Sequence, residues 1–171
     1  KQKQRHPILS QITSPYILFI GDRAGYKNFY RMVSAFKEDS LLHKDIKLVC
    51  SGSAFSPVES EALIRAGITD KVIQISATDE DLDSLYQHAE FYISPSILEG
   101  FGFPILEAFS NRCLVLLSDI PCFHEIAGDA ALYFNTFSVK EMAECMLLVL
   151  ENKQDKTSII EKGNLQLLKF P

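Results

Sequence analysis

The sequence predicts an α/β fold, a doubly wound parallel sheet of about six strands with helices on both faces. Three observations point there. Short apolar runs alternate with helix-period patterns from one end of the chain to the other. Several of those runs are apolar almost throughout, as strands covered on both faces must be. Capping signals stand just ahead of several helical stripes. A chain of 171 residues fits one domain at roughly 100–200 residues per domain.

The elements follow in order. Residues 1–14 read as a polar linker arriving from a missing N-terminal domain, since the basic start KQKQRH has no apolar run behind it. Residues 15–171 form the domain. Its strand candidates are Tyr16–Ile20, Ile46–Cys50, Val72–Ile75, Phe91–Ile93, Cys113–Leu117 and Ala131–Phe134. Between them, Phe29, Met32, Val33 and Phe36 repeat at helical spacing, as do Leu82, Leu85, Tyr86 and Ala89. Val139, Met142, Ala143, Met146, Val149 and Leu150 make a longer stripe. Ser56-Pro57-Val58-Glu59 gives an N-cap, a first-turn proline and a capping-box acid. Thr78 with Asp81 and Ser138 with Glu141 repeat the device. Thr157 to Leu168 predicts a closing helix.

Composition narrows the function. Hydrophobic residues are 47% and charged residues 23% of the chain, as in ordinary globular proteins. A net charge of −5 argues against a nucleic-acid binder, which needs a basic footprint. Cys50, Cys113, Cys122 and Cys145 show no metal spacing and read as packed, reduced thiols of a cytoplasmic protein. No apolar run approaches the ~18 residues of a membrane span.

Ligands of doubly wound sheets bind beyond the carboxyl ends of the strands, where strand order switches. Two loops there carry chemistry. The first, Gly21-Asp22-Arg23-Ala24-Gly25-Tyr26-Lys27-Asn28, runs straight into a helix. It is neither a P-loop nor a dinucleotide fingerprint. Arg23 and Lys27 stand where a helix dipole is already positive, which disfavours cations unless an anion sits between them. Two solvated side chains on a surface loop remain the plain alternative.

The second loop runs from Ser94 through Glu99-Gly100-Phe101-Gly102-Phe103-Pro104 to Glu107. Gly100 and Gly102 allow close backbone approach to a ligand. A carboxylate accepts two hydrogen bonds, which suits the neighbouring hydroxyls of a ribose or hexose. Glu99 as a solvated loop acid and Glu107 as a dipole partner at a helix start are the alternatives. Phe103 reads as a core residue.

Glu99 and Glu107 form E-x7-E within SPSILEGFGFPILEA. This block resembles the signature of the family 4 glycosyltransferases, which have the GT-B fold of two Rossmann-like domains. IGDRAGYKN resembles that family's phosphate loop, and LVCSGSA, DEDLDSLYQHAEFYISPS and SDIPCFHEIAGDAALYF follow its pattern in order. The resemblance spans Tyr16 to Leu150. It implies one Rossmann-like half of a GT-B enzyme, the donor-binding C-terminal domain, with the acceptor site on a missing N-terminal domain. In the full-length protein it implies transfer of a hexose from a nucleotide-diphosphate sugar to a glycan or other acceptor, with retention at the anomeric carbon and no metal; this fragment alone would transfer little.

Carried over by position, Arg23 and Lys27 hold the diphosphate and stabilise the leaving group's growing charge. Glu107 binds the ribose hydroxyls and Glu99 the transferred sugar, with Glu99, Lys27 and Arg23 as the catalytic set. The backbone at Gly100, Phe101, Gly102 and Phe103 approaches sugar and phosphate, and the loops at Gly52 and Ser76 approach the nucleoside. AGYKN resembles the mannosyltransferase-type members, which favours GDP-mannose as donor. The work of relatives at membranes implies a cytoplasmic or inner-membrane-surface location in polysaccharide biosynthesis. The sequence departs from the pattern at Ser76, where a glycine is usual, and at Asn111-Arg112-Cys113-Leu114, where Gly-Thr-Pro is usual; Asn111 is expected to supply that turn. A sugar-nucleotide epimerase of the same fold and a non-catalytic nucleotide-sugar-binding module are the alternatives. Asp79-Glu80-Asp81 and His124-Glu125 read as helix-start acids and a chance half of a zinc motif.

Overall fold

The structure is a computed structural model and describes residues 6–151 and 156–171. Six parallel strands form one sheet: β1 (Tyr16–Ile20), β2 (Lys47–Ser51), β3 (Val72–Ile75), β4 (Phe91–Ser94), β5 (Val115–Ser118) and β6 (Leu132–Phe134). Their order is β3-β2-β1-β4-β5-β6, so the chain reverses its direction of travel across the sheet between β1 and β4. The helices are α1 (Phe29–Phe36), α2 (Asp39–Leu42), α3 (Pro57–Ala66), α4 (Asp79–His88), α5 (Phe103–Ser110), α6 (Pro121–Ala127), α7 (Val139–Glu151) and α8 (Lys156–Leu167).

Strand side chains alternate between two cores. Ile17, Phe19, Leu48, Cys50, Phe91, Ile93 and Leu116 face one core, closed by α1, α2, α3 and α7 through Phe29, Met32, Leu41, Leu63, Met142 and Met146. Tyr16, Leu18, Val49, Tyr92, Val115 and Leu117 face the other, closed by α4, α5 and α6 through Leu85, Ile105, Phe109, Phe123 and Ile126. This period-two split explains why the strands read as continuous apolar runs. Each fully buried aliphatic or aromatic side chain contributes about 1.5–3 kcal/mol.

Local signals place the helix starts. Ser56 and Thr78 each close a capping box, with Glu59 and Asp81 as the reciprocal acids. The Thr78 bonds also hold the Asp81 carboxyl below the usual range. Gly67 ends α3 in a left-handed conformation.

Several expectations shift. The short helices α2 and α6 lack a long apolar stripe. The stretch expected as linker holds a 3-10 turn at Pro7–Gln11 and buries Ile8, Leu9 and Ile12 against the second core; residues 1–5 lie outside the described ones. The turn after α5 is made by Arg112 at φ 55, not by Asn111 at φ −97. The Cys113 N–H donates to Ala108 O at 2.8 Å, which ties that residue to the helix end and delays β5 to Val115. Phe103 is 68% exposed instead of buried. Cys50 and Cys113 are buried, and burial pushes both thiols up to about 12. Among the described residues, no helix is long and apolar enough to cross a membrane.

Candidate functional site

The β1 and β4 strands are neighbours, so the loops that follow them leave the sheet side by side at its carboxyl edge. Ile97 N–H donates to Tyr26 O at 2.8 Å and joins them directly. Gly21 N–H bonds Ser51 O, and Gly52 N–H bonds Ile75 O, which brings the β2 and β3 ends into the same edge. A Cβ at Gly52 would lie 2.7 Å from Gly21 O, so only glycine permits that approach.

Lys27 ends a 3-10 turn, Gly25–Lys27, just before α1. Its Nζ lies 2.5 Å from Glu99 Oε1, and that oxygen also accepts from Ser96 Oγ at 2.8 Å. Both side chains are mostly shielded, at 19% and 16% exposure. The conflict of a cation at a helix start is therefore relieved from within, by a carboxylate from the neighbouring loop. Gly100, immediately after Glu99, faces open space.

Glu107 lies one turn into α5, whose first turn holds Pro104. Its Oε2 accepts a hydrogen bond from Tyr86 Oη at 2.9 Å. Burial, then the neighbouring Tyr92 and the Glu107 charge, push the Tyr86 hydroxyl far above its ordinary value. Tyr86 is thus a permanent donor that orients one Glu107 oxygen and leaves the exposed side of the carboxylate available. Burial raises the Tyr92 hydroxyl most; a Ser94 hydrogen bond lowers it, and the charges of Glu99 and Glu107 raise it further.

Arg23 is placed differently from Lys27. Its side chain is 2% exposed, with Nε 3.1 Å from Glu59 Oε2. Nη2 donates to Ser53 O at 2.8 Å and Ala54 O at 3.1 Å. The guanidinium lies 4.7 Å from the Phe55 ring centre and 5.8 Å from that of Phe29. Arg23 therefore grips the β2–α3 loop. Its Nη1 has no hydrogen-bond partner among the described residues.

Gly52 and Ser76 come together at the β2 and β3 ends, where Gln74 Nε2 donates to Gly52 O at 2.7 Å. Phe101 and Phe103 lie with ring centres 4.7 Å apart, and Gly102 opens α5 at φ 109. The structure thus joins Lys27 to Glu99 and Gly52 to Ser76, and sets Arg23 beside Gly52. Sequence reasoning missed Ser96, Tyr86, Gln74 and the buried Asn28. Tyr86 lay hidden inside an apolar stripe. Asn28 directly follows Lys27 in the loop, but its partners Pro95 and Thr136 are distant in sequence.

The arrangement offers an ammonium, two oriented carboxylates and glycine-bared backbone along one sheet edge. Such a set suits a ligand with an anionic centre and vicinal hydroxyls. Known proteins show the same fold. The C-terminal domain of a glycosyl transferase group 1 family protein (LpcC) from Francisella tularensis superposes with a TM-score of 0.78 at 21% identity, covering 98% of this chain and 93% of that one. The O-antigen chain mannosyltransferase RfbU of Salmonella typhimurium is 32% identical over 121 residues, 70% of this chain and 34% of its own length. O-antigen chain mannosyltransferase B of Escherichia coli is 29% identical over 164 residues, 91% of this chain and 42% of its own. The chain thus spans well under half of these two curated relatives. Residues 1–166 match the profile of the glycosyl transferases group 1, and the chain belongs to that family.

Proposed function

We propose that the chain binds a nucleoside-diphosphate sugar at the β1/β4 edge and serves as the donor half of a hexosyltransferase. The observation that carries this reading is the Lys27–Glu99 pair at the switch point of the sheet. A pyrophosphate outcompetes one carboxylate for Lys27, because it brings more charge and more acceptor oxygens. Glu99 is then released toward the hydroxyls of the sugar, and Glu107 accepts from the ribose. Exposed Gly100 lets the donor lie close to the backbone between them. Gly52 and Ser76 border the nucleoside.

In the reaction, the bond between the anomeric carbon and the phosphate oxygen breaks, the acceptor oxygen takes its place, and the acceptor's hydroxyl proton passes to the departing phosphate oxygen. Negative charge grows on the departing phosphate, where Lys27 stabilises it. Arg23 adds positive potential from beneath the loop and holds the β2–α3 wall in place. The names of the relatives favour mannose, and the resemblance favours GDP-mannose and retention of anomeric configuration. The acceptor is assigned to a second domain of the whole protein, at a cytoplasmic or inner-membrane surface.

Calorimetric titration with GDP, UDP, ADP and their sugar forms tests the binding. GDP and GDP-mannose are expected to bind best. A folded chain that binds none of them would overturn the proposal. Mannosyl transfer by the intact gene product, with the anomeric centre read by NMR, tests the chemistry. Donor hydrolysis, epimerisation or no turnover would point to the other readings.

A further inference from the structure

The β1–β4 ladder pairs only Ile17 with Phe91 and Leu18 with Tyr92. Beyond those pairs, among the described residues, the backbone bond from Ile97 N–H to Tyr26 O ties the two loops, and Lys27 and Glu99 meet across the gap between them. Asn28 sits at that gap. It is 6% exposed and held at φ 62. Its Nδ2 donates to Pro95 O at 2.9 Å, in the loop that leads to Glu99. It donates also to Thr136 O at 2.9 Å, in the loop after β6. Its Oδ1 accepts from Arg31 Nη1 at 2.5 Å, and Arg31 lies 5.2 Å from the Phe137 ring centre. Two carbonyl acceptors on one side and a cation on the other fix which way the amide faces.

The geometry points to Asn28 as the positioning residue that sets Lys27 against Glu99. Two demands meet at this position. The backbone is left-handed, which glycine, asparagine and aspartate tolerate best. The buried gap between two carbonyl oxygens needs a double donor. Glycine meets the first demand only. Aspartate turns an oxygen toward two oxygens. Asparagine meets both, and through its own peptide it fixes where the Lys27 side chain starts. Asn28 touches no reacting atom in this account; it acts through Lys27, and the claim rests on the donor site proposed above.

The test uses the wild-type chain, Asn28→Gly, Lys27→Met and the double variant. The Lys27 ammonium is followed by NMR without ligand, and GDP affinity by calorimetry below each melting temperature. In Asn28→Gly the ammonium signal of a paired lysine is expected to be lost, with the core resonances unchanged. GDP affinity should fall about tenfold, and the double variant should bind no more weakly than Lys27→Met alone. A retained pair, or losses that multiply in the double variant, would overturn the assignment. Wild-type chain that binds no nucleoside diphosphate would sink the donor reading, while the ammonium signal still decides the role of Asn28. Asn28→Asp stands in if Asn28→Gly does not fold. If neither folds, Asn28 is architectural and the positioning role is wrong.

Discussion

Glu99 Oε1 lies 2.5 Å from Lys27 Nζ, joining the loop after β4 to the loop after β1. The two side chains proposed to grip different parts of one ligand are paired with each other. On the proposed reading, binding is an exchange of partners, with the Glu99 carboxylate as the internal competitor.

Removing the competitor should separate nucleotide binding from sugar transfer. Glu99→Gln is expected to tighten GDP about two- to fivefold, the worth of an ion pair of this kind. Transfer by the intact gene product should fall, because one of the charged carboxylate oxygens that accepts from the sugar becomes an amide donor. Calorimetry and initial rates read the two effects separately.

Arg23 should behave unlike Lys27. Its guanidinium is buried against Glu59, Phe55 and two carbonyl oxygens. Arg23→Met leaves those groups without their cation and should cost about 3 kcal/mol or more in stability. Urea unfolding reads that loss. Lys27→Met should leave the unfolding midpoint close to wild type.

Gly52 separates crowding from chemistry. A methyl there meets Gly21 O at 2.7 Å, backbone against backbone. Gly52→Ala should destabilise the chain by about 1–3 kcal/mol as the β1 and β2 ends are forced apart. Thermal unfolding checks it, and GDP affinity should weaken with the displaced loop.

Much of this was legible in the sequence. The strands were visible because both faces are covered, so each run is apolar throughout. The α3 and α4 starts were visible because Ser56 and Thr78 cap through local bonds. Glu99 stood out beside Gly100, and Lys27 as a cation at a helix start. The partner of Arg23 was not legible: Glu59 reads as a capping-box acid, and its second bond is tertiary. Asn28 was opaque for the same reason, since Pro95 and Thr136 are distant in sequence. The burial of Ile8, Leu9 and Ile12 was masked by the polar residues around them.

The buried thiols predict an alkaline limit. Cys50 and Cys113 ionise near 9.0 when unfolded and at about 12 when folded, because burial disfavours the thiolate. Above pH 9 the unfolded chain loses those protons first, so stability present at neutral pH falls between about 9 and 12. The raised hydroxyls of Tyr86 and Tyr92 steepen the fall beyond the ordinary tyrosine range. Urea midpoints measured from pH 7 to 11 check the slope, which Cys50→Ala with Cys113→Ala should flatten at its lower end.

The central claim is that Lys27 holds a pyrophosphate where it now holds Glu99. Calorimetric titration of GDP into wild type and Lys27→Met, both shown folded by circular dichroism, tests it most directly. Loss of a charged hydrogen bond predicts affinity weaker by about ten- to a hundredfold in the variant. Equal affinity in the two proteins would contradict the claim.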